Sequence, residues 1–261
     1  MAAEDWRVWA TRPCAQNQTW GNTLRTQGYR VLELPLLDIV PLTDPASQQA
    51  IKNLILDFDQ FDKVIFVSQN AVSHGFEWLH DYWPQLPNGI EYFAVGGKTA
   101  KAVEAEGVAV TAGGASMDTE ALLALPQLQD VWGKKILVCR GRGGLPKLGQ
   151  ALHHRGAMVR YLELYERLLP AQAVSQLISQ LGQLEKCDLL VAFSGETLHN
   201  LLAVVTDAGM NAWNNPVLVP GKRLEELAFA LGFNCVISAP NASEGAMLAR
   251  LADYTSFHTP S

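Results

Sequence analysis

Short apolar runs alternate along this chain with segments whose apolar residues recur every third or fourth position. That is the pattern of parallel strands covered by helices, since such strands are buried on both faces and their helices on one. The runs predict strands at 6–11, 29–34, 63–67, 91–95, 108–111, 135–139, 158–164, 188–193, 216–219 and 234–238. Four amphipathic helices stand out between them, on Val72-Phe76-Leu79-Trp83, Val174-Leu177-Ile178-Leu181, Leu198-Leu201-Leu202-Val205 and Leu224-Leu227-Ala228-Leu231. Ten strands in two sets of five predict an α/β protein of two flavodoxin-like parallel-sheet lobes.

The chain also reads as written twice. Lys134-Lys135-Ile136-Leu137-Val138-Cys139-Arg140 echoes Trp6-Arg7-Val8-Trp9-Ala10-Thr11-Arg12 at an offset of 128 residues, and Gly149, Leu152, Gly156 and Val159 match Gly21, Leu24, Gly28 and Val31 at the same offset. With a small drift, Asp188 to Ser194 answers Asp62 to Ser68, Val219-Pro220-Gly221 with Gly232 answers Ala94-Val95-Gly96 with Gly107, and Ser243-Glu244 answers Thr119-Glu120. A doubled α/β unit predicts two similar lobes, and a cleft between such lobes is a natural place for a ligand. Two stretches break the alternation: 33–42 and 160–170 are long, extended, end at prolines and hold equivalent places in the repeats. They suit crossover strands that pair as a linker; two sequential lobes split near 130 are the simpler arrangement.

At 261 residues there is room for two domains, each with its own core. A net charge of −6 argues against a general nucleic-acid binder, which needs clustered Lys and Arg to neutralise phosphates, although it leaves room for an anionic small molecule. Cys14, Cys139, Cys187 and Cys235 form no C-x-x-C pair and read as reduced core residues. The start, Met1-Ala2-Ala3-Glu4-Asp5, has neither a basic nor an apolar signal region, and no apolar run nears the roughly 20 residues that span a bilayer. A cytoplasmic, soluble monomer is the expectation.

Ligands of open parallel sheets bind beyond the carboxyl ends of the strands. The turns there are Thr11-Arg12-Pro13, Ser68-Gln69-Asn70, Gly96-Gly97-Lys98-Thr99, Arg140-Gly141-Arg142-Gly143, Ser194-Gly195-Glu196, Pro220-Gly221-Lys222-Arg223 and Pro240-Asn241-Ala242-Ser243. They are small, hydroxylated or glycine-bearing, and most open a helix, where free backbone N–H groups suit carboxylate or phosphate. Ser68, Thr99, Ser194 and Ser243 read equally well as ordinary N-caps. Arg140-Gly141-Arg142-Gly143-Gly144 is not a phosphate loop, and Gly96-Gly97-Lys98 lacks the dinucleotide spacing, so a nucleotide is unsupported. The six histidines have no metal-ligand spacing, and no G-x-S-x-G elbow occurs. Tyr165 is a phenol on the second crossover strand, either a half-buried strand tyrosine or a neutral proton donor facing a cleft.

The order of these motifs resembles the uroporphyrinogen-III synthase family over nearly the whole chain. The carriers are Thr11-Arg12-Pro13 with Leu24 and Gly28; Phe66-Val67-Ser68-Gln69-Asn70-Ala71-Val72; Ala94-Val95-Gly96-Gly97-Lys98-Thr99-Ala100 with Gly107; and Arg140-Gly141 with Leu152 and Arg155-Gly156. Tyr165-Glu166-Arg167, Phe193-Ser194-Gly195, Val219 to Arg223 with Gly232-Phe233, and Ala239 to Ser243 complete the set. The resemblance favours the crossover: a discontinuous first domain of 1–37 plus 168–261, a second domain of 38–167, and a two-stranded β linker near 34–41 and 160–169. It implies a hydro-lyase that cyclises hydroxymethylbilane to uroporphyrinogen III, inverting the last pyrrole ring with loss of water, without metal or organic cofactor. A transient contact with the preceding hydroxymethylbilane synthase stays open. The resemblance implies that Thr99, Tyr165, Ser194 and Ser243 lie around the cleft, with Tyr165 the choice for proton donor to the leaving hydroxyl, and the strand-end turns add Arg12, Ser68, Asn70, Gly96, Arg140, Gly195 and Gly221 as substrate-binding candidates. Backbone amides are preferred to arginines as carboxylate ligands. The chain departs from many members at Val67 and Ser243, where threonine is common, and at the variable Asn70. The main alternative is a non-enzymatic two-lobed cytoplasmic binder of an anionic small molecule; a sugar-nucleotide transferase would need a diphosphate site and a longer chain.

Overall fold

Each sheet of this protein is assembled from both repeats. The computed structural model describes residues 3–113, 119–144, 146–181, 187–207 and 214–258. The first repeat runs β1 (Arg7–Ala10), α1 (Cys14–Thr26), β2 (Arg30–Glu33), β3 (Asp38–Pro41), α2 (Pro45–Leu56), β4 (Lys63–Phe66), α3 (Gln69–Tyr82), β5 (Glu91–Ala94), α4 (Gly97–Ala105), β6 (Val110–Ala112) and α5 (Thr119–Leu123). The second runs β7 (Lys135–Gly141), α6 (Lys147–His154), β8 (Met158–Leu168), α7 (Ala171–Leu181), β9 (Asp188–Val191), α8 (Gly195–Asp207), β10 (Val217–Pro220), α9 (Gly221–Ala230), β11 (Val236–Ala239) and α10 (Glu244–Phe257). One sheet has the order β11-β10-β9-β1-β2 and the other β3-β8-β7-β4-β5-β6. The first therefore takes the first two strands of the first repeat and the last three of the second, and the other takes the first two strands of the second repeat and the last four of the first. The expectation of five strands a side is corrected to five and six, because the stretch at 33–42 breaks after Glu33 and resumes as β3 beside β8.

The chain divides into two compact units, Met1–Asp38 with Leu168–Ser261, and Ile39–Arg167. In the first, β1 pairs in parallel with β2 and β9, with Ala10 opposite both Glu33 and Val191. Alternate residues feed opposite faces of this sheet. Trp9, Leu190, Val217 and Val219 pack under α7, α8 and α9, while Val8, Ala10, Leu189 and Val191 meet Trp20 and Leu24 of α1 and Met247 and Leu251 of α10. Leu34 and Leu36, in the break before β3, are buried in the first of these cores. In the second unit, β4 pairs in parallel with β5 and β7. Val64, Phe66, Leu137 and Cys139 face α2 and α3, and Ile65, Ile136 and Val138 face Leu122 of α5 and Leu148 and Leu152 of α6. No described helix is long and apolar enough to cross a membrane.

Repeat glycines do the same work twice. Gly28 and Gly156 adopt φ of 89° and 84° at the ends of α1 and α6, and the next residue donates back into the helix, Tyr29 N–H to Leu24 O at 3.2 Å and Ala157 N–H to Leu152 O at 3.1 Å. Only a residue free to enter left-handed backbone closes a helix this way cheaply. Gly21 and Gly149 make room for a side chain of the next strand: an added Cβ would lie 2.7 Å from Glu33 Oε1 and 1.9 Å from Tyr161 Oη. The amino edges are pinned alike. Asp188, wholly buried, accepts from Arg7 at 2.5 and 2.7 Å and from the Trp9 indole at 2.9 Å. Its counterpart Asp62 accepts from Lys134 at 2.9 Å and from the Lys135 N–H at 2.8 Å. Of the cysteines, all free, Cys139 and Cys187 are buried, but Cys14 is exposed at the first turn of α1, which corrects its reading as core.

Candidate active site

In the second unit the chain leaves β4 toward β5 and leaves β7 toward β8, so a switch point falls between β4 and β7. A crevice opens beyond the carboxyl ends of the strands at such a point. A cavity of about 190 Å³ lies there, walled by Val67, Val95, Val138 and Leu148 on its apolar side and by Arg140, Gly141, Tyr161 and Tyr165. That volume is below the roughly 300–1,000 Å³ of sites that enclose a drug-sized ligand, so it takes one ring or one substituent, not a tetrapyrrole.

Tyr165 is fixed on every side. It has no solvent exposure, and its ring lies flat against Gly141, where an added Cβ would come within 2.6 Å of Cε2. The hydroxyl is 2.9 Å from Ser68 Oγ, and Ser68 Oγ also caps α3 by accepting the Ala71 N–H at 3.1 Å. The His74 ring is 5.8 Å away centroid to centroid, with its Nδ1 3.2 Å from Glu77 Oε2. The half-buried strand tyrosine of the sequence is thus a fully buried one, because the backbone irregularity between Arg140 and Gly141 draws β7 against its ring. Burial pushes the Tyr92 phenol up to about 12 and raises the Cys139 thiol, and the Tyr92 hydroxyl has no hydrogen-bond partner among the described residues. Neither gives up a proton near neutral pH.

Arg140 is engaged within the fold. Its guanidinium lies 3.8 Å from the Tyr161 ring centroid, donates to Glu163 Oε1 at 2.8 Å and to Gly144 O at 2.9 Å. Arg140-Gly141 closes the strand β7 rather than opening a helix, since α6 starts only at Lys147. Gly96, buried and extended, precedes α4, which has no side-chain cap. Thr99 is therefore the third residue of that helix and not its cap, and its hydroxyl makes no hydrogen bond among the described residues. Asn70, half-buried, is the second residue of α3.

In the first unit Arg12, Ser194, Gly195, Gly221 and Ser243 also follow strand ends. Arg12 donates to Glu244 Oε1 at 2.6 Å and lies 4.3 Å above the Phe193 ring, so it too is paired. Ser194 caps α8 by accepting the Thr197 N–H at 3.2 Å, and Ser243 caps α10 by accepting the Ala246 N–H at 3.3 Å. Gly195 leaves room for Leu227, whose Cδ2 would be 2.7 Å from an added Cβ. Gly221, at φ 73°, starts α9 behind Pro220 with no side-chain cap. Two helices, α4 and α9, thus present uncapped first-turn N–H groups at equivalent places of the two repeats. Sequence reasoning missed Tyr161, Glu163 and His74. The glycine at 149, twelve residues before Tyr161, carried a signal for the first; the others depend on register.

The family model described as uroporphyrinogen-III synthase HemD matches residues 18–249. Uroporphyrinogen-III synthase of Escherichia coli is 31% identical over 253 residues, which cover 94% of this chain and 99% of that protein. The enzyme of Salmonella typhimurium is 30% identical over 92% of this chain and 98% of its own length. In fold, the chain is similar to a mutant uroporphyrinogen III synthase of Thermus thermophilus, with a TM-score of 0.64 at 17% identity over 97% of this chain and 99% of that one. A uroporphyrinogen-III synthetase of Helicobacter pylori gives 0.62 at 18% identity over 97% and 100%. With its doubled, strand-exchanged sheets and a family match across most of its length, the chain belongs to the uroporphyrinogen-III synthase family.

Proposed function

We propose that this protein closes hydroxymethylbilane to uroporphyrinogen III, reversing the last pyrrole ring and releasing water, with Tyr165 as the proton donor to the departing hydroxyl. The observation that carries the residue assignment is a phenol held at 2.9 Å by Ser68 in the wall of a cavity of about 190 Å³, large enough for one end of the substrate. Loss of the terminal hydroxyl leaves an azafulvene-type cation; attack through the substituted carbon of the last pyrrole gives a spiro intermediate, which reopens with that ring reversed. Unassisted closure gives the unreversed isomer, so the protein must hold the ends as well as aid departure.

The acetate and propionate groups of the substrate are met, in this reading, by backbone N–H groups of α4 and α9 rather than by arginines. Arg12 and Arg140 already hold Glu244 and Glu163, and an ion pair would have to break before either served a carboxylate. Gly96, Thr99 and Gly221 belong to this binding set, with Asn70, Ser194, Gly195 and Ser243 beside their own helix starts. No cofactor enters the scheme. The protein acts as a cytoplasmic monomer, and any contact with hydroxymethylbilane synthase is transient.

The test is the isomer composition after the purified protein meets freshly generated hydroxymethylbilane. Predominantly type III product is expected. Type I product at the protein-free rate would replace this reading by the two-lobed binder, which sequesters a ligand unchanged. Tyr165→Phe should slow turnover without abolishing it, and unchanged turnover would remove its role.

A further inference from the structure

We infer that Ser68 is a positioning residue for Tyr165, holding the phenol by its oxygen so that the phenol proton is left for the substrate. The inference rests on the proton-donor role proposed above for Tyr165, and it moves Ser68 from the substrate-binding set to the support of that donor. A serine hydroxyl has one proton and two lone pairs. One lone pair of Ser68 Oγ is taken by the Ala71 N–H at 3.1 Å, in the cap of α3. Its proton and its second lone pair both face Tyr165 Oη, 2.9 Å away, and no other hydrogen bond reaches that hydroxyl among the described residues; we take the serine as donor. In this arrangement Ser68 donates, the phenol accepts, and the phenol's own O–H remains unspent. The ring has no freedom to turn the hydroxyl elsewhere, with Gly141 flat against it and no solvent exposure.

The chemistry balances. The bond from the terminal methylene carbon to its hydroxyl breaks with the electron pair going to oxygen, the Tyr165 proton joins that oxygen, and water departs. The phenolate left behind keeps the hydrogen bond that Ser68 donates, which strengthens as charge develops on the acceptor. After ring closure and reinsertion, one proton is lost from carbon and restores the phenol. Ser68 touches neither the leaving group nor the cation; it acts through Tyr165.

The experiment is a kinetic double-mutant cycle on the full chain, with type III product as readout. Ser68→Ala should lower kcat about 10-fold, the share of one charge-assisted hydrogen bond, while KM stays within about twofold. Ser68→Thr, which keeps both hydroxyl and cap, should restore kcat to within about threefold. In a Tyr165→Phe background Ser68→Ala should change kcat by less than about twofold, because the partner it serves is gone. The same fold loss in both backgrounds, or a change in KM alone, would overturn the inference and return Ser68 to the cap or to the substrate. Should Ser68→Ala fold poorly, Ser68→Gly carries the same cycle, since glycine keeps most of the cap and none of the hydroxyl. Wild-type protein that yields only type I product sinks the synthase reading, and an active wild type with Tyr165→Phe unaffected sinks the donor role; the inference falls with either. An intact Tyr165 effect with additive Ser68 losses sinks this inference alone.

Discussion

Gly141→Ala puts a methyl group where the Tyr165 ring now lies. Its Cβ would sit 2.6 Å from Cε2, 2.9 Å from Cζ and 3.1 Å from Cδ2, against an ordinary carbon contact of about 3.5–4.0 Å. Gly141 does not have a positive φ, so the cost is steric and not one of backbone conformation. Relief needs a displacement of about 1 Å by the ring, toward the cavity it lines, or by the strand β7 itself. Overpacking of this kind costs about 1–3 kcal/mol. At about 4 °C per kcal/mol for a unit of this size, the midpoint of thermal unfolding should fall by about 4–12 °C. Turnover should suffer more, because a phenol moved by about 1 Å loses its bond to Ser68 and its aim, a misplacement that can cost about 100-fold. Thermal unfolding followed by tryptophan fluorescence and the rate of type III product give the two numbers. The decisive control is Tyr165→Ala: in that background Gly141→Ala should cost less than about 0.5 kcal/mol, since its obstacle has gone. An equal cost in both backgrounds, or unchanged unfolding and turnover in the single variant, would refute the packing argument.

Asp188→Ala removes a wholly buried acceptor that serves Arg7 and the Trp9 indole, and urea unfolding should show a loss of about 3–5 kcal/mol; a loss below about 1 kcal/mol would contradict the pinning role. Hydrogen bonds from Ser47 and Arg142 hold the Asp44 carboxyl down at about 2. Because its folded value is depressed, its contribution to stability is present above the unfolded value, near 3.8, and is lost as the pH falls from there toward 2. Carboxyl NMR should find a midpoint near 2 that rises in Arg142→Ala, and an unperturbed midpoint in the parent protein would refute the network.

The parts of this fold that were legible in the chain are those set by local chemistry. Strands such as β4, β9 and β10 are apolar on both faces and announce themselves, and the paired glycines at 28 and 156 repeat because each must close a helix in left-handed backbone. The strand β3 was hidden inside a longer extended stretch, since nothing local distinguishes a short break from a continuous strand. At the site, Ser68, Ser194 and Ser243 read as caps and are caps, whereas Thr99 was displaced into its helix by the extended Gly96 before it. The partners of Arg12 and Arg140 were not legible, because Glu244 and Glu163 reach them only through strand order and register. The flat contact of Gly141 with Tyr165 depends on a one-residue irregularity that no sequence period records.

The exchange of strands between repeats bears on how the chain leaves the ribosome. The unit Ile39–Arg167 is continuous and can complete its sheet while the rest is still being made. The strands β1 and β2 emerge earlier yet wait longest, since their neighbour β9 starts at Asp188 and β10 and β11 come later still. Through that interval a newborn chain carries an open strand edge at its amino end, the kind of surface on which chaperones act and stray pairing begins. Release of a truncated chain ending near residue 170 would leave one finished unit and an orphaned β1-α1-β2 tail.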